Sequence, residues 1–289
     1  MSELLQNRSL QRNPWAPRTL FSTTMSGVVM LCALLALVPL IAVLGYVLVN
    51  GLSRFDLSLL TQVQPAPREL GGGVGNAIQG TLYTVGIAIA LAVPFGVVGG
   101  GSLSEFVRDT RAARWIGFAT NVLSGVPSIV VGAFMYGAVV ATTKRYSAVA
   151  GGLALAVLML PVIVRTATEA LELVPSEIRQ ASVGLGSTKF QTVSRVVLPA
   201  ALPGILTGVM LSVARATGET APVIFTVLGW HTWIGSVWDQ TNTLSLLVYK
   251  FATSPFDNQK SLAWSASLLL VLFVFALNVI ARLVVRRRA

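Results

Sequence analysis

Between Arg18 and Arg54 the chain carries no charged side chain. Five more long apolar runs follow it, and together these runs constrain the fold more than any motif does. The six lie roughly at 25–49, 78–101, 115–141, 149–168, 202–228 and 261–285. A helix needs about 20 apolar residues to cross about 30 Å of hydrocarbon, and each run supplies that length. In lipid the backbone must satisfy its own hydrogen bonds, which a helix does within one segment. The expected fold is therefore all-α, a membrane protein with six transmembrane helices. Only 11% of the 289 residues are charged, where a soluble domain carries about 25%.

The basic residues give the orientation, because Lys and Arg concentrate in cytoplasmic loops. With the N-terminus inside, the inner segments hold fourteen Lys and Arg and the outer segments six, with Arg215 within a run. Both termini are therefore expected in the cytoplasm, with tails at 1–24 and 286–289. The net charge of +10 sits in short loops between apolar runs, which argues against a nucleic-acid partner. Cys32 is the one cysteine and His231 the one histidine, so neither an intrachain disulfide nor a His/Cys metal or haem site is expected. The first run is too long, and its leader too extended, for a cleavable signal peptide. It is expected to be the first transmembrane helix, 25–49.

Two outer loops stand out. One covers 50–77 and ends near Gly71-Gly72-Gly73. The other covers 229–260 and bears Trp230, His231, Trp233, Trp238, Asp239 and Asp257. Its tryptophans fit either interfacial anchoring or a docking surface for an extracytoplasmic partner.

The inner connector at 169–201 is the most informative polar segment. Pro175 suits the first turn of a helix, and Glu177 complements its dipole. Gly184 and Gly186 can end it in a left-handed turn. Ser187 or Thr188 can cap a second helix, expected to run to Pro199. A helix–turn–helix of this kind is either a rigid knob for another protein or an amphipathic hairpin on the membrane surface. The segment Gly184–Lys189 is glycine-rich, but the spacing of a phosphate-binding P-loop is absent from the chain, so ATP is not expected to bind here.

Gln180, Ala181, Ser182, Gly186, Val196, Leu198 and Pro199 resemble the EAA loop of ABC importer permeases, with matching spacing throughout. Gln180 replaces the family's Glu, Ser182 an Ala and Val196 an Ile. The first change removes a charge, so any salt bridge that Glu makes to the ATPase becomes a hydrogen bond here. Gly125-Val126-Pro127-Ser128-Ile129-Val130, Leu160-Pro161-Val162-Ile163-Val164-Arg165-Thr166 and Arg215-Ala216-Thr217-Gly218-Glu219-Thr220-Ala221-Pro222 are similar to the PstA-type permeases of phosphate-specific ABC importers.

That resemblance covers about 70–285 and implies a type I ABC importer permease fold over that range, with a cytoplasmic coupling loop at 169–201. It implies a bacterial inner-membrane location, a PstC-type permease as heterodimer partner, a PstB-type ATPase dimer and an extracytoplasmic PstS-type phosphate-binding protein. This chain is then a non-catalytic subunit without cofactor, ATP and Mg being bound by the ATPase. Gln180, Ala181, Ser182, Gly184, Gly186, Leu198 and Pro199 are the expected ATPase-coupling residues.

Charges within the runs are the candidate substrate pathway. Arg215 falls about 20 Å into the fifth run at 1.5 Å per residue, near mid-depth. Glu219 follows one turn later on the same expected helix face. Arg at the bilayer centre costs about 2.5–3.5 kcal/mol on insertion scales, so such groups line pathways or pair with each other. Arg215 is therefore either a structural partner of Glu219 or a transient contact for the anion. Glu219 can also accept a hydrogen bond from protonated phosphate and repel sulfate. Arg165 closes the fourth run, either snorkelling to the interface or serving the exit. Gly204, Gly208, Ser212 and Ala216 form a small-residue stripe suited to close packing. Pro94, Pro127, Pro161 and Pro222 are expected kinks. Outside this reading stand a permease for another oxyanion such as sulfate or molybdate, a secondary transporter and an intramembrane enzyme. The last two find no internal repeat and no catalytic constellation in the runs.

Overall fold

The computed structural model describes residues 17–286. Arg8, Arg12, Arg287 and Arg288, with most of the two expected tails, lie outside the described residues. The chain divides into two units, Met1–Val49 and Asn50–Ala289. The first is built on α1 (Pro17–Gly51), a 35-residue apolar helix containing Pro39. Its residues before Gly51 are exposed nearly all round.

The second unit begins with the short α2 (Leu57–Thr61), whose N-terminus is capped by the Asp56 carboxylate accepting from Leu59 N. Then come α3 (Gly75–Gly101), continued by a π turn at Ser102–Phe106, and α4 (Arg111–Gly125). Next, α5 (Ser128–Met135) passes through a π turn at Tyr136–Val140 into α6 (Ala141–Thr143). The long α7 (Ala148–Glu172) leads to the connector helices α8 (Ser176–Gly184) and α9 (Lys189–Thr192). A third π turn at Val193–Val197 joins α9 to α10 (Leu198–Gly218). Finally come α11 (Ala221–Val227), α12 (Leu244–Ala252) and α13 (Asp257–Arg286). Apart from one isolated bridge between Leu228 and Thr241, the regular structure among the described residues is helical.

Among the described residues five helices are long and apolar enough to cross a membrane, or six if α4 and the α5–α6 segment count as one bent span. That pair is the third expected span, 115–141, and the kink expected at Pro127 is a sharp break in it. It bends by 103° where Val126 adopts extended φ −71°, ψ 128°. The residue before a proline is sterically pushed out of the helical region, so Pro127 breaks the span. The fifth run is also interrupted. α10 ends at Gly218, Glu219 is extended (φ −70°, ψ 122°), and α11 restarts with Pro222 in its first turn, where a missing N–H costs nothing. Pro94 and Pro161 stay inside continuous helices. The fourth span runs past its expected end to Glu172.

Close approach through small residues builds the core. A Cβ on Gly96 would lie 2.6 Å from Ile163, and one on Gly100 would lie 2.7 Å from the Ala167 methyl. Gly204 faces Ala170, and Gly208 faces Thr166. Ser212 Oγ donates to the Met159 carbonyl at 3.5 Å. The stripe expected to pack does so, with α10 seated on α7 and α7 on α3, around buried Ala88, Ala92, Leu155, Met159 and Ile163. In a bilayer such packing, rather than water exclusion, drives helix association. A second cluster of Leu59, Ala77, Leu244, Leu247, Leu262 and Ala266 joins α2, α3, α12 and α13.

Candidate functional site

The connector folds as a rigid hairpin. Pro175 precedes α8 in an extended conformation, and Glu177 lies in the first turn. The stop falls at one glycine, not two. Gly184 is still the last helical residue with no atom near its Cβ position, whereas Gly186 has φ +86°. An L side chain resists that left-handed conformation. Gly186 N donates to the Val183 carbonyl at 2.9 Å, and Ser187 N to the Ser182 carbonyl at 3.2 Å. Thr188 is the cap of the second helix. Gln191 N donates to Thr188 Oγ1 (3.3 Å), and Thr188 N donates back to Gln191 Oε1 (3.0 Å), a reciprocal capping box.

The second helix does not end at Pro199. The π turn carries the chain into α10, with Leu198 N donating to the Val193 carbonyl, and Pro199 falls in the first turn of α10. Ser182 is more than a mild replacement for alanine. Its hydroxyl lies 3.0 Å from Thr192 Oγ1, buried between α8 and α9. Gln180, Ala181, Gly184, Gly186 and Pro199 are exposed and Leu198 is partly buried. Around them the hairpin exposes apolar groups that sequence reasoning passed over, with Leu185 89% and Phe190 69% exposed. A large apolar tip held on a capped turn suits contact with a partner protein or with the membrane surface.

Among the described residues two arginine–glutamate pairs have i,i+4 spacing, one on α7 and one at the end of α10. Arg215 Nε sits 3.3 Å from Glu219 Oε1, and Arg165 Nε sits 2.9 Å from Glu169 Oε1. Glu169, not foreseen from the sequence, gives both pairs the same i,i+4 spacing. Glu219 caps α10 with a φ that is still helical, so its side chain meets Arg215 at the expected i,i+4 spacing, while its extended ψ turns the chain out of the helix. It leaves the helix and folds back, its carbonyl accepting from Ser245 Oγ at 3.1 Å. The Arg215 side chain is 68% exposed while that of Glu219 is 18% exposed. Gly208 lies against Thr166 and Ser212 against Met159. Those contacts put Arg165 and Arg215 about 10 Å apart along the bundle, at 1.5 Å per residue.

At the far end from the hairpin, the loops before α3 and after α11 are stitched by buried amides. Gln64 Nε2 donates to His231 Nδ1 (2.6 Å) and to the Trp230 carbonyl (3.3 Å). Asn242 Nδ2 donates to Gln64 Oε1 (2.6 Å), and Asn76 Nδ2 to the Trp230 carbonyl (3.0 Å). Burial, and secondarily the Lys250 charge, holds the His231 pKa below 6.5. Trp230, Trp233 and Trp238 remain about half exposed on this end. No group of three His, Cys, Asp or Glu side chains placed to hold a metal occurs among the described residues.

Five or six apolar helices among the described residues, with a polar hairpin between two of them, define an α-helical membrane protein. Residues 92–289 match the family described as binding-protein-dependent transport system inner membrane component, and the chain belongs to that family. A phosphate transport system permease protein PstA from Yersinia pestis is 38% identical over 249 residues, covering 86% of this chain and 84% of the relative. A protein named PstA 1 from Mycobacterium tuberculosis is 39% identical over 254 residues, covering 86% and 83%. Among solved structures, a bacterial alginate ABC transporter chain aligns with a TM-score of 0.64 at 12% identity, covering 93% of this chain and 97% of that one. An inward-facing MetNI methionine ABC transporter chain gives 0.57 at 20% identity, covering 74% and 96%. These two likenesses establish the type I importer permease fold.

Proposed function

We propose that this chain is the transmembrane permease subunit of an ATP-driven importer of inorganic phosphate, lining half of the translocation path. The observation that carries the reading is the hairpin: a polar segment, rigidly capped at Gly186 and Thr188, that presents Leu185 and Phe190 to a partner. The chain is non-catalytic, and a PstB-type ATPase dimer, binding ATP and Mg, couples through Gln180, Ala181, Ser182, Gly184, Gly186, Leu198 and Pro199, the exposed ones as contacts and Ser182 and Leu198 by holding the hairpin from within. A PstC-type permease completes the path, and a PstS-type binding protein delivers phosphate to the opposite face. Both termini and the hairpin are cytoplasmic in this arrangement. The relatives named for phosphate transport support the substrate.

Within the path, Arg215 and Arg165 offer two cationic stations for the anion. Each keeps a glutamate at hand, so the cation is compensated when the anion leaves. An arginine without such a partner in low dielectric would hold an oxyanion too firmly for release. Glu219 adds a test of protonation, accepting a hydrogen bond from phosphate that still carries a proton and repelling an oxyanion without one.

Reconstituted complex in proteoliposomes tests the reading. Phosphate-loaded binding protein should stimulate ATP hydrolysis and drive phosphate uptake. Arg215→Ala should abolish uptake while the complex still assembles, and Glu219→Gln should relax discrimination against sulfate. Stimulation by sulfate but not phosphate in the unaltered complex would move the chain to another oxyanion, and full uptake by Arg215→Ala would make that arginine structural.

A further inference from the structure

We propose that Arg179 and Glu105 form a latch that fixes the hairpin to the end of α3, and that this latch sets how much phosphate moves per ATP hydrolysed. The proposal rests on the reading of the hairpin as the ATPase-coupling element. Arg179 is on α8, between exposed Ile178 and Gln180, yet its side chain is only 26% exposed. Its Nη2 lies 2.7 Å from Glu105 Oε1, and its Nε lies 3.4 Å from Glu105 Oε2. This is a forked, two-point grip that a guanidinium can make and an ammonium cannot. The same guanidinium donates from Nη2 to the Leu171 carbonyl (2.8 Å) and from Nη1 to the carbonyls of Val174 and Pro175. These carbonyls end α7 and begin the turn into α8, where helical partners run out.

Glu105 belongs to the π turn at Ser102–Phe106, and its side chain is 9% exposed. A carboxylate that buried persists only with a partner, and Arg179 is the partner here. The next residue makes a second attachment. Lys189, at the start of α9, holds its Nζ 5.5 Å from the centre of the Phe106 ring, within cation–π range. Both helices of the hairpin are thus fastened to consecutive residues of one turn. Ser104 Oγ, immediately before Glu105, is buried without a hydrogen-bond partner, so this turn keeps its shape at the expense of a polar group. Covalently the hairpin continues only into α7 and α10. The latch adds α3, which α7 already grips through Gly96 and Gly100. A push on Leu185 then reaches all three helices as one body. Without the latch, α8 is free to pivot about Pro175, and the push is spent on the hairpin. Arg179 touches neither anion nor nucleotide; it is a positioning residue.

The test uses the complete complex in proteoliposomes, with inorganic phosphate and ATP measured together. Arg179→Met should leave the ATPase co-purifying and ATP hydrolysis near the unaltered rate, while phosphate transported per ATP falls about tenfold. Arg179→Lys, which keeps the charge without the fork, should fall between the two, and Glu105→Gln should also lower the ratio. A merely structural pair would lower yield or melting temperature and leave the ratio unchanged in the complex that forms. An unaltered ratio in Arg179→Met and Glu105→Gln overturns the latch. Where Arg179→Met fails to assemble, the ratio in Glu105→Gln decides alone. Leu185→Asp, run alongside, separates the two levels. If it releases the ATPase while the latch variants behave normally, the latch alone fails. If it leaves the ATPase bound and transport intact, the coupling reading fails.

Discussion

Exchanging Gly204 and Ala170 isolates the contact on which the α7–α10 seam depends. A methyl on Gly204 would sit 2.9 Å from the Ala170 methyl, with the Ala170 Cα the only other neighbour, at 3.8 Å. Ordinary contact is about 3.4–4 Å, and the opposing methyl has no rotamer to escape into, so the two backbones must part by about half an ångström. Overpacking of this kind costs about 1–3 kcal/mol. Replacing glycine by alanine in a helix returns about 1 kcal/mol, so Gly204→Ala alone should destabilise by about 0–2 kcal/mol. Ala170→Gly alone should cost about 1–2 kcal/mol, from propensity and the lost packing of a nearly buried methyl. In the double variant the clash is gone, the propensity terms cancel, and stability should return to within about 1 kcal/mol of the original. The double-mutant cycle should therefore show a favourable coupling of about 1–3 kcal/mol. It is measured by unfolding the four proteins in one detergent. Gly208 is the internal control. There the Thr166 Cβ itself blocks the added methyl, so Thr166→Ala should not rescue Gly208→Ala. Simple additivity in the 204/170 cycle would refute the seam as the source of these costs.

The turn at Gly186 needs a left-handed residue, which costs an L side chain about 1–2 kcal/mol; Gly186→Val should insert normally, lose uptake and weaken ATPase association, whereas Gly184→Ala should be tolerated. Normal uptake by Gly186→Val would remove the hairpin from coupling. In a Cys32→Ala background, Leu70→Cys and Asp257→Cys should react with an impermeant thiol reagent from outside, and Thr110→Cys and Ser187→Cys only from inside; the opposite pattern rejects the proposed orientation. His231 is held below its ordinary pKa of 6.5, so the folded loops refuse a proton that the unfolded chain takes up. Their stability is full above about pH 6.5 and falls as the pH drops towards the lowered folded pKa. Thermal unfolding of the complex should show this loss, and His231→Gln should flatten it; identical pH profiles for the two proteins would exclude His231 as the cause.

What the sequence displayed was whatever rests on neighbours along the chain. Apolar length located the long helices, the four-residue stripe at Gly204, Gly208 and Ser212 located the seam, and Gly184 to Thr188 located the hairpin turn, within which the structure selects Gly186 and Thr188. Breaks were harder to place, because Pro127 is one of four candidate kinks and the polar residues around Glu219 read as charges within a continuous span, while the backbone leaves the helix at Val126 and at Glu219. Pro94, Pro127, Pro161 and Pro222 look alike in the sequence, yet two sit inside continuous helices, one at a bend and one in a first turn. What decides is whether neighbouring helices satisfy the freed backbone groups, and no local pattern reports that. The Arg179–Glu105 ion pair and the Gln64–His231 hydrogen bond join residues far apart in sequence, which only packing brings together.

The break after Gly218 changes what Arg215 is. In an unbroken span it would be a cation stranded near mid-depth, obliged to pair with Glu219. In α10 it occupies the last turn, where unpaired carbonyls and the helix dipole favour a positive charge. Glu219 is then not the only group offsetting that charge. Its carbonyl is held by Ser245, while its carboxylate meets Arg215 through Nε alone, at 3.3 Å. Such an arrangement leaves the outer guanidinium nitrogens without a glutamate contact on a largely exposed side chain, as the proposed anion contact would need. The helix break thus eases the cost of Arg215 in the membrane, which is what the proposed anion contact requires.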